Sequence, residues 1–179
     1  RGRCISTIPI TSSGFSGKLF KTVDGGNHWF FSGDGTESVS GNFSLFALAE
    51  VQLDPLNPDT VYTSTVVGGA TGGLFRSLDA GATWQKIAGD DIPGSGLGND
   101  LYPLVIDPTN PLRMYGGGVH ATFFLFSVDG GFHWQVNNPV THAEGLTTAI
   151  AVNPARPNEI FLGLRGCVDD CFPFVVEEF

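Results

Sequence analysis

Thr22-Val23-Asp24-Gly25-Gly26-Asn27-His28-Trp29 is the phrase on which the fold turns. It returns as Ser77-Leu78-Asp79-Ala80-Gly81-Ala82-Thr83-Trp84 and again as Ser127-Val128-Asp129-Gly130-Gly131-Phe132-His133-Trp134. The shared pattern is Ser/Thr-x-Asp-x-Gly-x-Thr/His-Trp. All three tryptophans of the chain fall in it, and its aspartates stand 55 and 50 residues apart. Self-similarity at such a period marks a repeat architecture.

A second phrase alternates with the first. Val51-Gln52-Leu53-Asp54-Pro55-Leu56-Asn57-Pro58 is followed by Tyr62. Val105-Ile106-Asp107-Pro108-Thr109-Asn110-Pro111 is followed by Tyr115, and Val152-Asn153-Pro154-Ala155-Arg156-Pro157 by Phe161. Proline donates no ladder hydrogen bond, so this phrase is a turn and not a central strand. Apolar, alternating residues before it predict an inner strand at 45–53, 102–106 and 148–152. A second strand is expected at 61–67, 113–120 and 159–165, and a third at 19–22, 74–77 and 124–127. The Asp-x-Gly phrase then reverses the chain into a fourth strand starting at Trp29, Trp84 or Trp134. In that turn the carboxylate accepts backbone N–H groups, glycine supplies positive φ, and the indole closes the apolar side. One such sheet cannot bury both faces alone, so neighbours must stack.

These phrases resemble the Asp-box, or BNR repeat, of Asp-box β-propellers. That group includes sialidases, xyloglucanase-type glycoside hydrolases, sortilin-type receptor propellers and photosystem II assembly factors. The resemblance implies an all-β propeller of four-stranded antiparallel blades, here about three and a half of them. Blade 1 is expected at about 1–36, blade 2 at 42–90, blade 3 at 100–139 and a partial blade 4 at 146–179. It also implies that the box is a structural turn on the face opposite the usual ligand site. Thr22, Asp24, Gly26 and Trp29 are therefore read as fold residues. So are Ser77, Asp79, Gly81 and Trp84, and Ser127, Asp129, Gly131 and Trp134. His28 and His133 take the place of the usual Thr and are read as turn residues.

The ligand face should then collect the loops at 32–42, 67–73, 89–100, 116–122, 137–145 and 166–171. Their polar content is Asp34, Glu37, Asp90, Asp91, Asp100, His120, His142, Glu144, Asp169 and Asp170, with Arg165 and Arg113 close by. A glycosidase needs two carboxylates roughly 5–9.5 Å apart. Asp90, Asp91, Asp100 and Asp169 are the residues that could supply them, and solvated loop acids are the reading we favour. The aromatic, Gly-rich context of xyloglucanase-type catalytic aspartates is missing around them. Sialidases need an arginine triad and a Tyr–Glu pair, and no Arg-Ile-Pro phrase is present. Gly89-Asp90-Asp91 with Asn99-Asp100 offers hard oxygen ligands for calcium but matches no EF-hand spacing. His120 and His142 lie in separate loops and are read as surface residues. No Gly-x-Ser-x-Gly elbow and no strand-to-helix glycine loop occurs. No cofactor is expected.

Composition excludes further classes. Nine Lys and Arg stand against 18 Asp and Glu, and a net charge of −9 leaves no basic face for nucleic acid. No run of 18 apolar residues provides a membrane span. Only 15% of residues are charged and 41% are hydrophobic, which argues for a folded core. Cys167 and Cys171 enclose three residues, and Cys4 is remote. A short disulfide loop and free thiols both fit, whereas a metal site lacks a second ligand pair.

The chain opens on Arg1-Gly2-Arg3 without Met or a signal peptide, which reads as a processed product or a fragment. The strand count is 3 + 4 + 4 + 3, with Cys4–Ile10 and Phe172–Val176 as strands of the two partial blades. Such a set does not close neatly, so the expected partners are further blades or a second copy. A polysaccharide or protein ligand is expected on the acidic face. The functional expectation is a non-catalytic binding scaffold, with a fragment of a secreted glycoside hydrolase as the alternative. An extracellular or periplasmic location is expected from low Lys, the acidic balance and the cysteine pair.

Overall fold

The structure is a computed structural model that describes residues 19–32, 47–67, 72–89, 92, 101–118, 121–137 and 145–166. Among them are twelve strands and no helix. The first pair, β1 (Leu19–Lys21) and β2 (Phe30–Ser32), forms a two-stranded sheet. The next four, β3 (Ala47–Leu53), β4 (Val61–Val67), β5 (Leu74–Ser77) and β6 (Gln85–Ala88), form an antiparallel meander in sequence order. The same meander is repeated by β7 (Leu104–Ile106), β8 (Met114–Gly118), β9 (Ala121–Ser127) and β10 (Gln135–Asn137). The last pair is β11 (Gly145–Val152) and β12 (Ile160–Gly166). We call the four sheets blades one to four.

Each strand lies where the periodicity puts it, with shifts at the ends that have local causes. The fourth strands begin one residue after Trp, because the indole N–H turns back to cap the preceding loop. Trp29, Trp84 and Trp134 donate to the carbonyls of Gly26, Gly81 and Gly131 at 3.1, 3.2 and 3.0 Å. The inner strand β7 is shorter than expected because Pro103, which has no N–H to give the ladder, stands just before it. The N–H of Tyr102 still reaches the carbonyl of Gly117 at 3.0 Å. In β3 and β11 the ladder slips at Ala49 and at Thr148, both five positions before the turn residue Asp54 or Asn153. The bulge is thus part of the repeat, and it adds local twist where the inner strands converge. Residues 4–10 and 172–176 lie outside the described residues, as do the loop residues between the described segments.

The inner strands β3, β7 and β11 are neighbours in that order, and β11 packs across β8 and β9 as well. The core lies between blades. Tyr62, Leu74 and Ala88 of blade two meet Leu104, Ile106, Met114, Leu125 and Trp134 of blade three. A smaller cluster joins Val61, Phe75 and Trp84 of blade two to Leu19 of blade one. Each fully buried large apolar side chain there contributes about 1.5–3 kcal/mol. Burial between sheets, not within one, is what a stacked repeat requires.

Candidate functional site

Two ends of the blades must be told apart before any residue can be assigned a task. One end carries both repeated phrases. The carbonyl of Asp59, in the first Asp-Pro turn, accepts the N–H of Ala80 at 2.7 Å. The carbonyl of Leu112, at the same place in the next repeat, accepts the N–H of Gly130 at 2.9 Å. In blades two and three the Asp-Pro turn is therefore stapled to the Asp turn of its own blade. The opposite end carries the outer limits of β4, β8 and β12, and it is the end the sequence nominates for ligands.

At the stapled end the Asp turns repeat bond for bond. The hydroxyls of Thr22, Ser77 and Ser127 donate to Oδ1 of Asp24, Asp79 and Asp129 at 2.7–2.8 Å. The same hydroxyls accept the N–H of Gly26, Gly81 and Gly131 at 2.8–3.0 Å. Oδ1 also accepts the backbone N–H of His28, Thr83 or His133. Oδ2 meets the side chain of that residue: the Thr83 hydroxyl at 2.6 Å, Nδ1 of His133 at 2.6 Å, and Nδ1 of His28. A histidine ring nitrogen thus substitutes for a threonine hydroxyl in two of the three turns.

The carboxyls are held at a pKa of about 2, below the ordinary 3.8. At Asp24 the main cause is the N–H of His28, followed by its ring and the Thr22 hydroxyl. At Asp79 it is the Thr83 hydroxyl, then its N–H and the Ser77 hydroxyl. At Asp129 burial pulls upward and is outweighed by His133 and Ser127 together. A depressed folded pKa stabilises above the unfolded value and is lost as pH falls through the folded one. We expect the stability gap between the wild type and Asp79→Asn to be widest above about pH 4 and to shrink toward about pH 2. Urea unfolding at several pH values reads this, and a gap independent of pH refutes it.

The Asp-Pro turns repeat as closely. Oδ1 of Asp54 accepts the N–H of Leu56 and Asn57, Oδ1 of Asp107 those of Thr109 and Asn110, and Oδ1 of Asn153 that of Ala155. Asp107 is fully buried, and its Oδ2 has no partner among the described residues. Arg113 belongs here too. It precedes β8 at the stapled end, and its Nη1 donates to Asn158 Oδ1 of blade four at 3.2 Å. The sequence expectation that placed Arg113 near the ligand end is corrected: the second strand starts, and does not finish, at this residue.

Of the residues nominated for the ligand face, Arg165 is described. It lies at the far end of β12, opposite Leu146 of β11, and is exposed. Asp34, Glu37, Asp90, Asp91, Asp100, His120, His142, Glu144, Asp169 and Asp170 lie outside the described residues, as do Cys4, Cys167 and Cys171. Near the same end the Tyr102 side chain is 37% exposed. Among the described residues no group of three His, Cys, Asp or Glu could hold a metal ion, and no helix is long and apolar enough to cross a membrane.

Glu50 is the residue that sequence reading passed over. It stands in the middle of the inner strand β3. Its Oε2 accepts the N–H of Leu104 in β7 at 2.7 Å, and its Oε1 accepts Gln52 Nε2 at 2.8 Å. A half-buried carboxylate thus ties two inner strands across a blade boundary. The signal was an acid inside the otherwise apolar stretch Ala47–Leu53. Of the other carboxylates among the described residues, Asp24, Asp54, Asp79, Asp107 and Asp129 sit in the two turn phrases, and Asp59 and Glu159 follow shortly after the second.

No family model matches the sequence. The Dispase autolysis-inducing protein of Streptomyces mobaraensis is 31% identical over 138 residues, which are 72% of this chain and 36% of that protein. Xyloglucanase Xgh74A of Acetivibrio thermocellus is 30% identical over 105 residues, 52% of this chain and 12% of the enzyme. The chain therefore spans a minor part of either relative. Among solved structures, the GH74 enzyme of Niastella koreensis superposes with a TM-score of 0.64 at 19% identity, covering 84% of this chain and 22% of that one. An ancestral GH74 enzyme superposes with a TM-score of 0.51 at 18% identity, covering 65% of this chain and 13% of that one. The fold is accordingly an all-β, partial β-propeller.

Proposed function

We propose that this chain is a binding segment of an Asp-box propeller, one that engages polysaccharide at the end opposite its Asp turns without hydrolysing it. The observation that carries this reading is the employment of six carboxylates among the described residues. Asp24, Asp79 and Asp129 are consumed as turn acceptors, Asp54 and Asp107 likewise, and Glu50 is bonded across two inner strands. A glycosidase needs two carboxyls facing one bond, and groups so engaged do not serve. The likeness to a xyloglucanase supports polysaccharide as the ligand class. Arg165 and Tyr102 stand at that end, a cation and an aromatic ring that suit hydroxyl-rich sugar faces. Secretion to an extracellular or periplasmic site agrees with a polymeric substrate.

A second reading is a piece of a glycoside hydrolase whose acid and base are among Asp90, Asp91, Asp100 and Asp169 or in another part of the polypeptide. The 30% identity to an enzyme of that activity favours it. Electrophoresis in gels with and without xyloglucan, run beside a reducing-end assay, separates the two. The binding reading expects retardation by the polysaccharide and no new reducing ends. Equal mobility in both gels sinks it, and release of reducing ends moves the assignment to the hydrolase.

A further inference from the structure

The repeated turns leave one part of themselves unused, and that part is apolar. In the Asp turn the hydroxyl, the carboxylate, the glycine, the Thr or His and the Trp bond to one another. The side chain between Ser or Thr and Asp takes no share in these bonds. It is Val23, Leu78 and Val128 in the three copies, 76%, 63% and 59% exposed. In the Asp-Pro turns Leu56 follows Pro55 and Leu112 follows Pro111, and they are 68% and 56% exposed. Turns ordinarily give such positions to small or polar residues. Val23, Leu56 and Leu78 are the three most exposed large hydrophobic side chains among the described residues. Phe132 supplies the contrast, since at the same end its ring is taken up by the Arg76 guanidinium at 4.9 Å.

The staples gather these side chains within each blade. The bond from Ala80 to the Asp59 carbonyl lays the turn that holds Leu56 against the turn that holds Leu78. The bond from Gly130 to the Leu112 carbonyl does the same in blade three, where a Cβ on Gly130 would stand 3.6 Å from Leu112 Cδ2. Leu112 thus lies against the turn that holds Val128. Blades two and three share a core, so the two apolar groups belong to one end of one stack. The charge at that end is negative. Residues 22–29, 54–60, 77–84, 107–113, 127–134 and 153–159 hold seven carboxylates against two arginines. Both arginines are engaged, Arg113 with Asn158 and Arg156 with Glu159. Asp59 is exposed, and its carboxylate accepts no hydrogen bond among the described residues. It occupies in blade two the place that Leu112 has in blade three.

We propose that the turn-bearing end of blades two and three is a docking surface for a protein segment that sets Lys or Arg among aliphatic side chains. The aliphatic side chains of the partner cover Leu56, Leu78, Leu112 and Val128, and its cation meets Asp59. Charge decides the kind of occupant. A second copy of this chain would bring the same carboxylates against these, and like charges across an interface oppose association. An apolar patch alone marks an interface without choosing a partner. A free carboxylate beside it selects a cationic one and penalises an acidic one. Asp79 and Asp129, with pKa values of about 2, stay ionised at neutral pH and add to the negative field around the patch. Polysaccharide at the opposite end leaves this surface open, so the two readings stand independently.

Fluorescence anisotropy tests it with two labelled probes, a helical peptide of Leu and Lys and its counterpart with Glu in place of Lys. The wild type should bind the Lys peptide and leave the Glu peptide free. Asp59→Lys should weaken the Lys peptide about tenfold or more, and so should Leu56→Ser combined with Leu78→Ser. Val51→Ser, at a residue 45% exposed on the inner strand β3, should change nothing. All these positions are exposed, so urea midpoints near that of the wild type should show each variant folded. Equal binding of the Lys peptide by the wild type, Asp59→Lys and the double Ser variant overturns the proposal, as does equal binding of the Glu peptide. A dimer that forms with rising concentration and is lost in the double Ser variant makes a second copy the occupant and overturns it equally.

Discussion

Gly73→Ala is expected to abolish the blade-two sheet or to cost the chain about 3–5 kcal/mol, combining backbone strain with overpacking. Gly73 sits at the entrance of β5 with φ +136°, a conformation that L side chains rarely adopt. Its N–H donates to Thr65 Oγ1 at 2.9 Å, and its carbonyl accepts the N–H of Thr65 at 3.2 Å. β4 therefore holds it on one side. On the other side a Cβ would stand 2.1 Å from the carbonyl oxygen of Ala88 and 2.9 Å from Cα of Gly89. Both are backbone atoms, and no rotamer change relieves them. The sheet must part between β5 and β6 or the turn must open. Chemical denaturation of the variant, with circular dichroism as the signal, measures the loss. A variant within about 1 kcal/mol of the wild type refutes this account of the site.

The second large effect is expected at Trp134. Trp134→Ala should cost about 3–5 kcal/mol, the range for deleting a large aromatic from a packed core. The indole is 6% exposed and lies among Leu74, Leu104, Met114 and Leu125. Its N–H caps the carbonyl of Gly131 at 3.0 Å. Removal leaves a cavity at the boundary of blades two and three, and both blades depend on that boundary for burial. The same change at Trp29 in the 179-residue chain should cost under about 1 kcal/mol, since the ring is 60% exposed and loses one surface hydrogen bond to Gly26. The contrast carries the weight of the test. Equal losses at Trp29 and Trp134 would mean that the indoles act through their own turns and not through the neighbouring blade.

Much of this fold is legible in the chain because the turns are local. A Ser or Thr, an Asp two residues on, a Gly after that, and a Thr or His before Trp complete their hydrogen bonds within eight residues. Asp-Pro-x-Asn-Pro does the same over seven. Ala80 shows how far the local pattern can flex: it takes φ +56° where the other two turns have glycine. The residues nominated for ligands are less legible for the opposite reason. Asp90 and Asp169 belong to no repeated phrase, so nothing in the sequence relates one to the other. Glu50 was passed over because a strand pattern reports which side a residue faces, not that a carboxylate can reach the next blade's backbone. Arg113 was misplaced through strand direction alone.

The sequence by itself determined the turns, the strand order within a blade and the two ends of each sheet, because each of these is settled by bonds between residues close along the chain. The tertiary structure alone decided which copy of the phrase is covered. Trp29, Trp84 and Trp134 make the same bond to the same turn glycine, yet one ring is exposed and two are buried. Burial depends on the sheet stacked alongside, and that sheet is supplied by residues some fifty positions away.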